Sequence, residues 1–105
     1  MAGRGRGADN GAVPPLTDAE VREGLAGLPG WERSGDEIVR TYERASFRDV
    51  IDLVGRIADL AEAANHHPDL DIRYSRLRVA LSTHSEGGIT GKDLALAAQI
   101  DAAAS

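Results

Sequence analysis

The chain has 105 residues, a length that fits one domain and is too short for two separate cores. Its 12 Lys and Arg are outnumbered by 17 Asp and Glu, a formal net charge of −5, which disfavours a dedicated nucleic-acid binder and attachment to an anionic membrane. No apolar run is long enough to span a bilayer, no N-terminal stretch resembles a secretion signal, and no cysteine is present. We therefore expect a cytoplasmic protein without disulfides, membrane contacts or direct nucleic-acid binding.

Residues 1–15 are predicted to form a disordered tail, and residues 16–105 a single domain. The tail is rich in glycine, shows no hydrophobic periodicity and ends in Pro14-Pro15. Its two basic residues, Arg4 and Arg6, are too few for a nucleic-acid-binding arm.

The domain is predicted to begin with a short helix and a β-hairpin. Thr17 and Glu20 have the spacing of a capping box, with Leu16 and Val21 placed to pack around it, and Pro29-Gly30 ends the helix. Two strand-like segments, Trp31–Arg33 and Glu37–Arg44, then flank the turn sequence Ser34-Gly35-Asp36.

A longer amphipathic helix follows the hairpin. Ser46 is a good N-cap, and apolar residues recur after it at spacings of three and four. Asn65 can adopt the left-handed conformation that ends a helix, and Pro68 prevents the helix from resuming.

The C-terminal part predicts two more strands and a last helix. The strands are Ile72–Ser75 and Leu77–Ser82, the second with alternating apolar residues. Thr90 and Asp93 repeat the capping pattern for a helix from Gly91 to about Ala103. The order α-β-β-α-β-β-α, with strands in pairs, predicts an α+β domain with an antiparallel sheet.

All three histidines lie in a short stretch, and they are the residues best suited to chemistry. His66 and His67 follow the central helix, and His84 follows an alternating strand. Glu62 precedes His66 by four residues, which places both on one helix face if the helix extends that far. A carboxylate there would hold the imidazole in one tautomer, as general acid–base catalysis near neutral pH requires.

Two other interpretations of the histidines are open at this point. Each could be an ordinary surface or helix-end residue, since exposed polar side chains need no special role. Three histidines could also bind zinc or iron, but neighbouring histidines in extended chain point to opposite sides, and neither HExxH nor HxH occurs. A metal site is therefore disfavoured.

The spacing of these residues resembles the signature of pterin-4a-carbinolamine dehydratases. The residues that carry the resemblance are Glu62, His66-His67-Pro68, Tyr74, His84 and Asp93, together with Gly30-Trp31, Phe47 and the stretch 81–90. The signature is long and position-specific, and the resemblance extends from about Leu16 to about Ala103.

The resemblance implies a fold, a reaction and roles for individual residues. The fold is a four-stranded antiparallel sheet with three helices on one face, usually in a homodimer or homotetramer. The reaction removes water from a 4a-hydroxytetrahydropterin to give the quinonoid dihydropterin, which recycles the pterin of aromatic amino acid hydroxylases; no metal or organic cofactor is implied. His66 and His84 would transfer protons, while His67 would mainly position the substrate.

The resemblance also implies substrate contacts. Glu62 would orient His66 or contact the pterin, and Lys92 and Asp93 would lie at the rim of the site; Tyr74 is a further candidate substrate-binding residue. Departures from the family pattern are Asn65, Ser85-Glu86 and Lys92. The alternative function is a non-catalytic binding protein of the same fold, acting as an assembly chaperone or transcriptional coactivator. The complete set of histidines favours the enzyme.

Overall fold

Three helices and four strands alternate along the chain in a computed structural model, which describes residues 14–105. The predicted tail, residues 1–15, lies outside the described residues except for Pro14 and Pro15. The elements are α1 Asp18–Ala26, β1 Glu32–Ser34, β2 Glu37–Glu43, α2 Phe47–Ala64, β3 Asp69–Arg73, β4 Arg76–Leu81 and α3 Gly91–Ala104. The α+β class and the predicted order of elements are confirmed.

The sheet is antiparallel throughout and has the strand order β1-β2-β4-β3. The hairpin β1–β2 forms as predicted around Gly35, whose φ of 63° explains why glycine occupies the turn. The first strand of the second pair differs from the prediction, because it begins at Asp69 and ends at Arg73 rather than spanning Ile72–Ser75. Pro68 holds the chain extended just before it, so pairing with β4 starts at Asp69.

The helices pack on one face of the sheet and enclose the core. The capping box of α1 is confirmed, since Thr17 N–H donates to Glu20 Oε1 at 2.8 Å and Glu20 N–H donates to Thr17 Oγ1 at 3.2 Å. The core combines residues of all three helices with the inward-facing residues of β2 and β4. Its fully buried members include Ile38, Val50, Leu53, Ile57, Leu77, Val79, Leu81, Ala97 and Ile100.

The end of α2, the end of β4 and the start of α3 carry the candidate site residues. Helix α2 ends at Ala64, and Asn65 has the left-handed conformation (φ 50°, ψ 44°) expected of a helix C-cap. Strand β4 leads into a short 3₁₀ helix, His84–Glu86, and the backbone then bridges from Gly88 back to Thr83 before α3 begins. Helices α2 and α3 are in contact, and His66, just after the end of α2, lies beside Asp93 in the first turn of α3.

No helix within residues 14–105 combines the length and the apolar character needed to cross a bilayer.

Candidate active site

His66 forms a close pair with a carboxylate that is distant in sequence. Its Nε2 lies 2.6 Å from Asp93 Oδ1, and the two side chains are 12% and 0% exposed. His66 directly follows the left-handed Asn65, so the ring leaves the axis of α2 and meets the first turn of α3. The pair joins two helix ends.

Asp93 is held on both of its oxygens. Oδ2 accepts from the backbone N–H of Thr90 at 2.9 Å and from the Thr83 hydroxyl at 2.9 Å, while Oδ1 faces His66. The first of these bonds completes the predicted capping of α3. Because Asp93 is fully buried, the expectation that it lies at the rim of the site is wrong.

The contact with Asp93 fixes the tautomer of neutral His66. A carboxylate can only accept hydrogen bonds, so Nε2 carries the proton and donates it. The other ring nitrogen of His66, Nδ1, has no hydrogen-bond partner within residues 14–105. In that range every fully buried side-chain nitrogen or oxygen has a hydrogen-bond partner, so Nδ1 is not fully buried. Among the described residues, Nδ1 therefore keeps its lone pair free and is at least partly exposed to solvent.

His67 has the carboxylate partner that the sequence suggested for His66. Its Nε2 lies 2.6 Å from Glu62 Oε2, and both side chains are more than half exposed. The prediction that Glu62 orients His66 is wrong. The i to i+4 relation needs a continuing helix, and α2 ends before His66.

His84 is exposed and has no side-chain hydrogen bond within the described residues. It lines a cavity of about 300 Å³. The other residues that line this cavity include Asp36 and Glu37 of the hairpin, Ser82 and Gly87. His66 lines a different cavity of about 190 Å³ beside Lys92, Leu96 and Gln99. The two rings are nevertheless connected, because Thr83, the neighbour of His84, is bonded to the partner of His66.

Tyr74 lies apart from the histidines. It is 72% exposed, has a φ of 52°, and occupies the turn between β3 and β4. His84 follows the other end of β4, and a six-residue strand is roughly 20 Å long. A single chain does not bring Tyr74 to the histidines, and its contact with substrate stays a prediction.

Sequence reasoning missed Thr83 as a site residue. It is 3% exposed, and its hydroxyl touches both Asp93 and Thr90. The sequence signals were its position immediately before His84 and its place in the stretch 81–90 that carries the family resemblance. Thr90 was recognised as a helix cap, but its contact with Thr83 is a tertiary feature.

Comparison with known proteins extends this description. Residues 14–103 match the family model described as pterin 4 alpha carbinolamine dehydratase. A relative from Chloroflexus aurantiacus, whose name provisionally assigns it as a pterin-4-alpha-carbinolamine dehydratase, is 55% identical over 89 residues, 85% of this chain and 96% of the relative. A relative from Mycobacteroides abscessus with the same name is 57% identical over 86 residues, 82% of this chain and 92% of the relative.

Solved structures show the same fold. The crystal structure of a transcriptional coactivator/pterin dehydratase from Brucella melitensis superimposes with a TM-score of 0.84 at 33% identity, covering 87% of this chain and 99% of that one. A pterin dehydratase-like protein identified as a RuBisCO assembly factor in the alpha-carboxysome shares only the fold, with a TM-score of 0.58 at 19% identity. The matches over most of the chain show that it belongs to the pterin-4-alpha-carbinolamine dehydratase family.

Proposed function

We propose that the protein removes water from a 4a-hydroxytetrahydropterin and releases the quinonoid dihydropterin, with histidines as acid and base. The names of its relatives support the substrate class and the reaction. The observation that carries the histidine chemistry is the His66–Asp93 pair, which gives one imidazole a fixed tautomer and an accessible lone pair.

The reaction needs two proton transfers and no change of oxidation state. The bond between the ring carbon and its hydroxyl breaks, and the oxygen leaves as water after it gains a proton. The adjacent ring nitrogen loses its proton, and the electron pair left there forms the new carbon–nitrogen double bond. One acid and one base satisfy both requirements, and solvent resets their protonation afterwards.

The geometry supports separate roles for the histidines. Neutral His66 donates Nε2–H to Asp93, so Nδ1 is free to take the proton from the ring nitrogen. His84 stands in an open cavity and would deliver the proton to the departing hydroxyl. His67, paired with Glu62 at the surface, would hold the pterin rather than exchange protons with it.

The decisive experiment follows the dehydration of a synthetic 4a-hydroxytetrahydropterin by its ultraviolet spectrum, with a chelator present. We expect a rate well above the buffer blank, and the double variant His66→Ala/His84→Ala is the matched control. A native rate equal to the blank would reject the enzyme.

That negative result would favour a non-catalytic binding protein of the same fold. The Brucella melitensis protein is described as a transcriptional coactivator as well as a dehydratase, and the more distant structural neighbour as an assembly factor. We favour the enzyme because a purely structural use needs neither a His66 oriented by a buried carboxylate nor an exposed His84 in an open cavity.

We further propose that the protein forms a homodimer or homotetramer in the cytoplasm. Helix α2 exposes Phe47 and Ile51, one turn apart, at 49% and 39%. Within the described residues, β3 is an edge strand without a second neighbour, and it exposes Ile72. Light scattering coupled to gel filtration gives the assembly size; a monomer at assay concentration would contradict the proposal.

A further inference from the structure

Thr83 is a buried polar residue to which the acid–base scheme gives no role. It lies between β4 and the 3₁₀ helix that carries His84, and it is 3% exposed. Its Oγ1 is 2.9 Å from Asp93 Oδ2 and 2.8 Å from Thr90 Oγ1. A hydroxyl is placed here inside the protein, directly behind the carboxylate that holds His66.

The chemistry of the three partners sets the direction of every hydrogen bond. A carboxylate only accepts, so the single proton of the Thr83 hydroxyl goes to Asp93. The Thr90 hydroxyl must then donate to Thr83, and Thr90 Oγ1 in turn accepts from the backbone N–H of Lys92 at 3.2 Å. A chain of donors therefore runs from the start of α3, through two threonines, to Asp93.

This chain determines which carboxylate oxygen is available to His66. Oδ2 is occupied by the Thr83 hydroxyl and by the backbone N–H of Thr90, which leaves Oδ1 turned towards His66 Nε2. Without the Thr83 hydroxyl, Oδ2 would lose one of its two donors, and the carboxylate could rotate away from the ring.

We propose that Thr83 is a positioning residue, whose hydroxyl holds Asp93 so that His66 keeps its proton on Nε2 and presents Nδ1 to the substrate. The kinetic part of this inference rests on the proposed dehydratase function. The tautomer of His66 does not, and it can be measured whether or not the protein is an enzyme.

The test compares Thr83→Val, which keeps the branched shape, with Thr83→Ser, which keeps the hydroxyl. Hydrogen-bond partners that orient a metal-ligating histidine typically contribute about 10-fold or more to activity, and we take an effect of the same size for a partner that orients a catalytic histidine. We expect Thr83→Val to lower kcat by about 10-fold with little change in KM, because the hydroxyl does not touch the substrate. Thr83→Ser should restore most of kcat. Ser46→Ala, which removes the N-cap hydrogen bond of α2, controls for a general loss of stability.

Nitrogen-15 spectroscopy of the imidazoles supplies the readout that a merely structural role would not change. In the native protein, neutral His66 should carry its proton on Nε2, and in Thr83→Val the two tautomers should mix. Ser46→Ala should leave the His66 signals unchanged. If Thr83→Val does not fold, Thr83→Ala takes its place in the same measurements, and a proton on Nδ1 in the native protein would by itself overturn the proposal.

Three further outcomes separate the two proposals. A Thr83→Val variant with native kcat and a native His66 spectrum would overturn the positioning role, as would a loss of kcat that Thr83→Ser does not restore. A native protein with no dehydratase activity but with a His66 tautomer that depends on Thr83 would reject the proposed function and support the positioning role.

Discussion

His66 Nε2 and Asp93 Oδ1 lie 2.6 Å apart although 27 positions separate the two residues in the chain. The left-handed Asn65 turns His66 away from the axis of α2, and the capping of α3 buries Asp93 beneath the ring. This pair links the fold to the proposed chemistry, because the features that end one helix and begin the next also orient the imidazole.

Replacing Asp93 by Asn should harm both catalysis and stability. The amide keeps the shape, but its NH₂ group cannot accept from Thr83, Thr90 and His66 as the two carboxylate oxygens do. We expect kcat to fall by about 10²-fold, the usual size of a positioned acid–base contribution. Stability should fall by about 1–3 kcal/mol, the cost of an unsatisfied buried group. Steady-state kinetics and urea unfolding measure the two effects, and native kcat in a folded variant would contradict the role of Asp93.

Variants of the three histidines should differ in which kinetic parameter changes, kcat or KM. His66→Ala and His84→Ala should each lower kcat by about 10²-fold or more, because each removes a proton-transfer group. His67→Ala should mainly raise KM, since a group that holds the substrate equally in ground and transition states changes binding alone. Circular dichroism of the variants checks the fold. Near-normal turnover in the first two variants, with turnover abolished in His67→Ala, would reverse the assignment.

Glu62→Gln should behave like a mild change at His67 and not at His66. The structure pairs Glu62 with His67, and the pair is largely exposed, so it contributes at most about 1 kcal/mol to stability. We expect a modest rise in KM, unchanged kcat and an unchanged His66 imidazole spectrum. A clear drop in kcat would contradict a role for Glu62 that is limited to substrate binding beside His67.

Tyr42 should lose its proton only at unusually high pH. Burial and the hydrogen bond to the carboxylate of Asp101 raise its pKa well above the ordinary value of 10.0, although Arg40 and Arg44 oppose the shift. The chain has two tyrosines, so in Tyr74→Phe the near-ultraviolet absorbance of tyrosinate reports Tyr42 alone. We expect the folded variant to show no tyrosinate at pH 10, whereas the urea-unfolded variant does.

The raised pKa of Tyr42 also determines the direction in which the stability of the fold changes at high pH. The unfolded chain releases this proton near pH 10 and the folded chain releases it higher, so the stabilisation present below pH 10 decreases as the pH rises further. Tyr42→Phe should show a shallower fall in melting temperature above pH 10 than the native protein. A fall of equal steepness in both would contradict the linkage.

Deleting residues 1–15 should leave both the fold and the activity intact. The domain begins with its own capping box, and Leu16 N–H donates to Ile89 O at 2.8 Å. Thermal melting and turnover of the truncated protein test this. A second truncation that retains Pro14 and Pro15 is the control, because Pro15 lies beside Gly88. A drop of several degrees in both truncations would show that residues 1–13 contribute to stability.

Local patterns in the sequence were sufficient to predict the order of the helices and strands and most of the helix ends. Thr17, Ser46 and Thr90 cap helices through neighbours two or three residues away, and Asn65 ends α2 by its own backbone conformation. Such features depend on a few consecutive residues and can therefore be predicted from the sequence alone. The start of β3 could not be predicted in this way, because the register of β3 is set by its pairing with β4.

The choice of carboxylate for His66 and for His67 was decided only by the tertiary structure. From spacing, Glu62 belonged with His66, yet the left-handed turn at Asn65 gives Glu62 to His67 and leaves His66 to Asp93. The buried Thr83–Asp93 contact likewise forms only when β4 ends beside the first turn of α3. A sequence identifies the groups that can exchange protons, but distances between segments remote in the chain arise only from packing, and these distances select the partners.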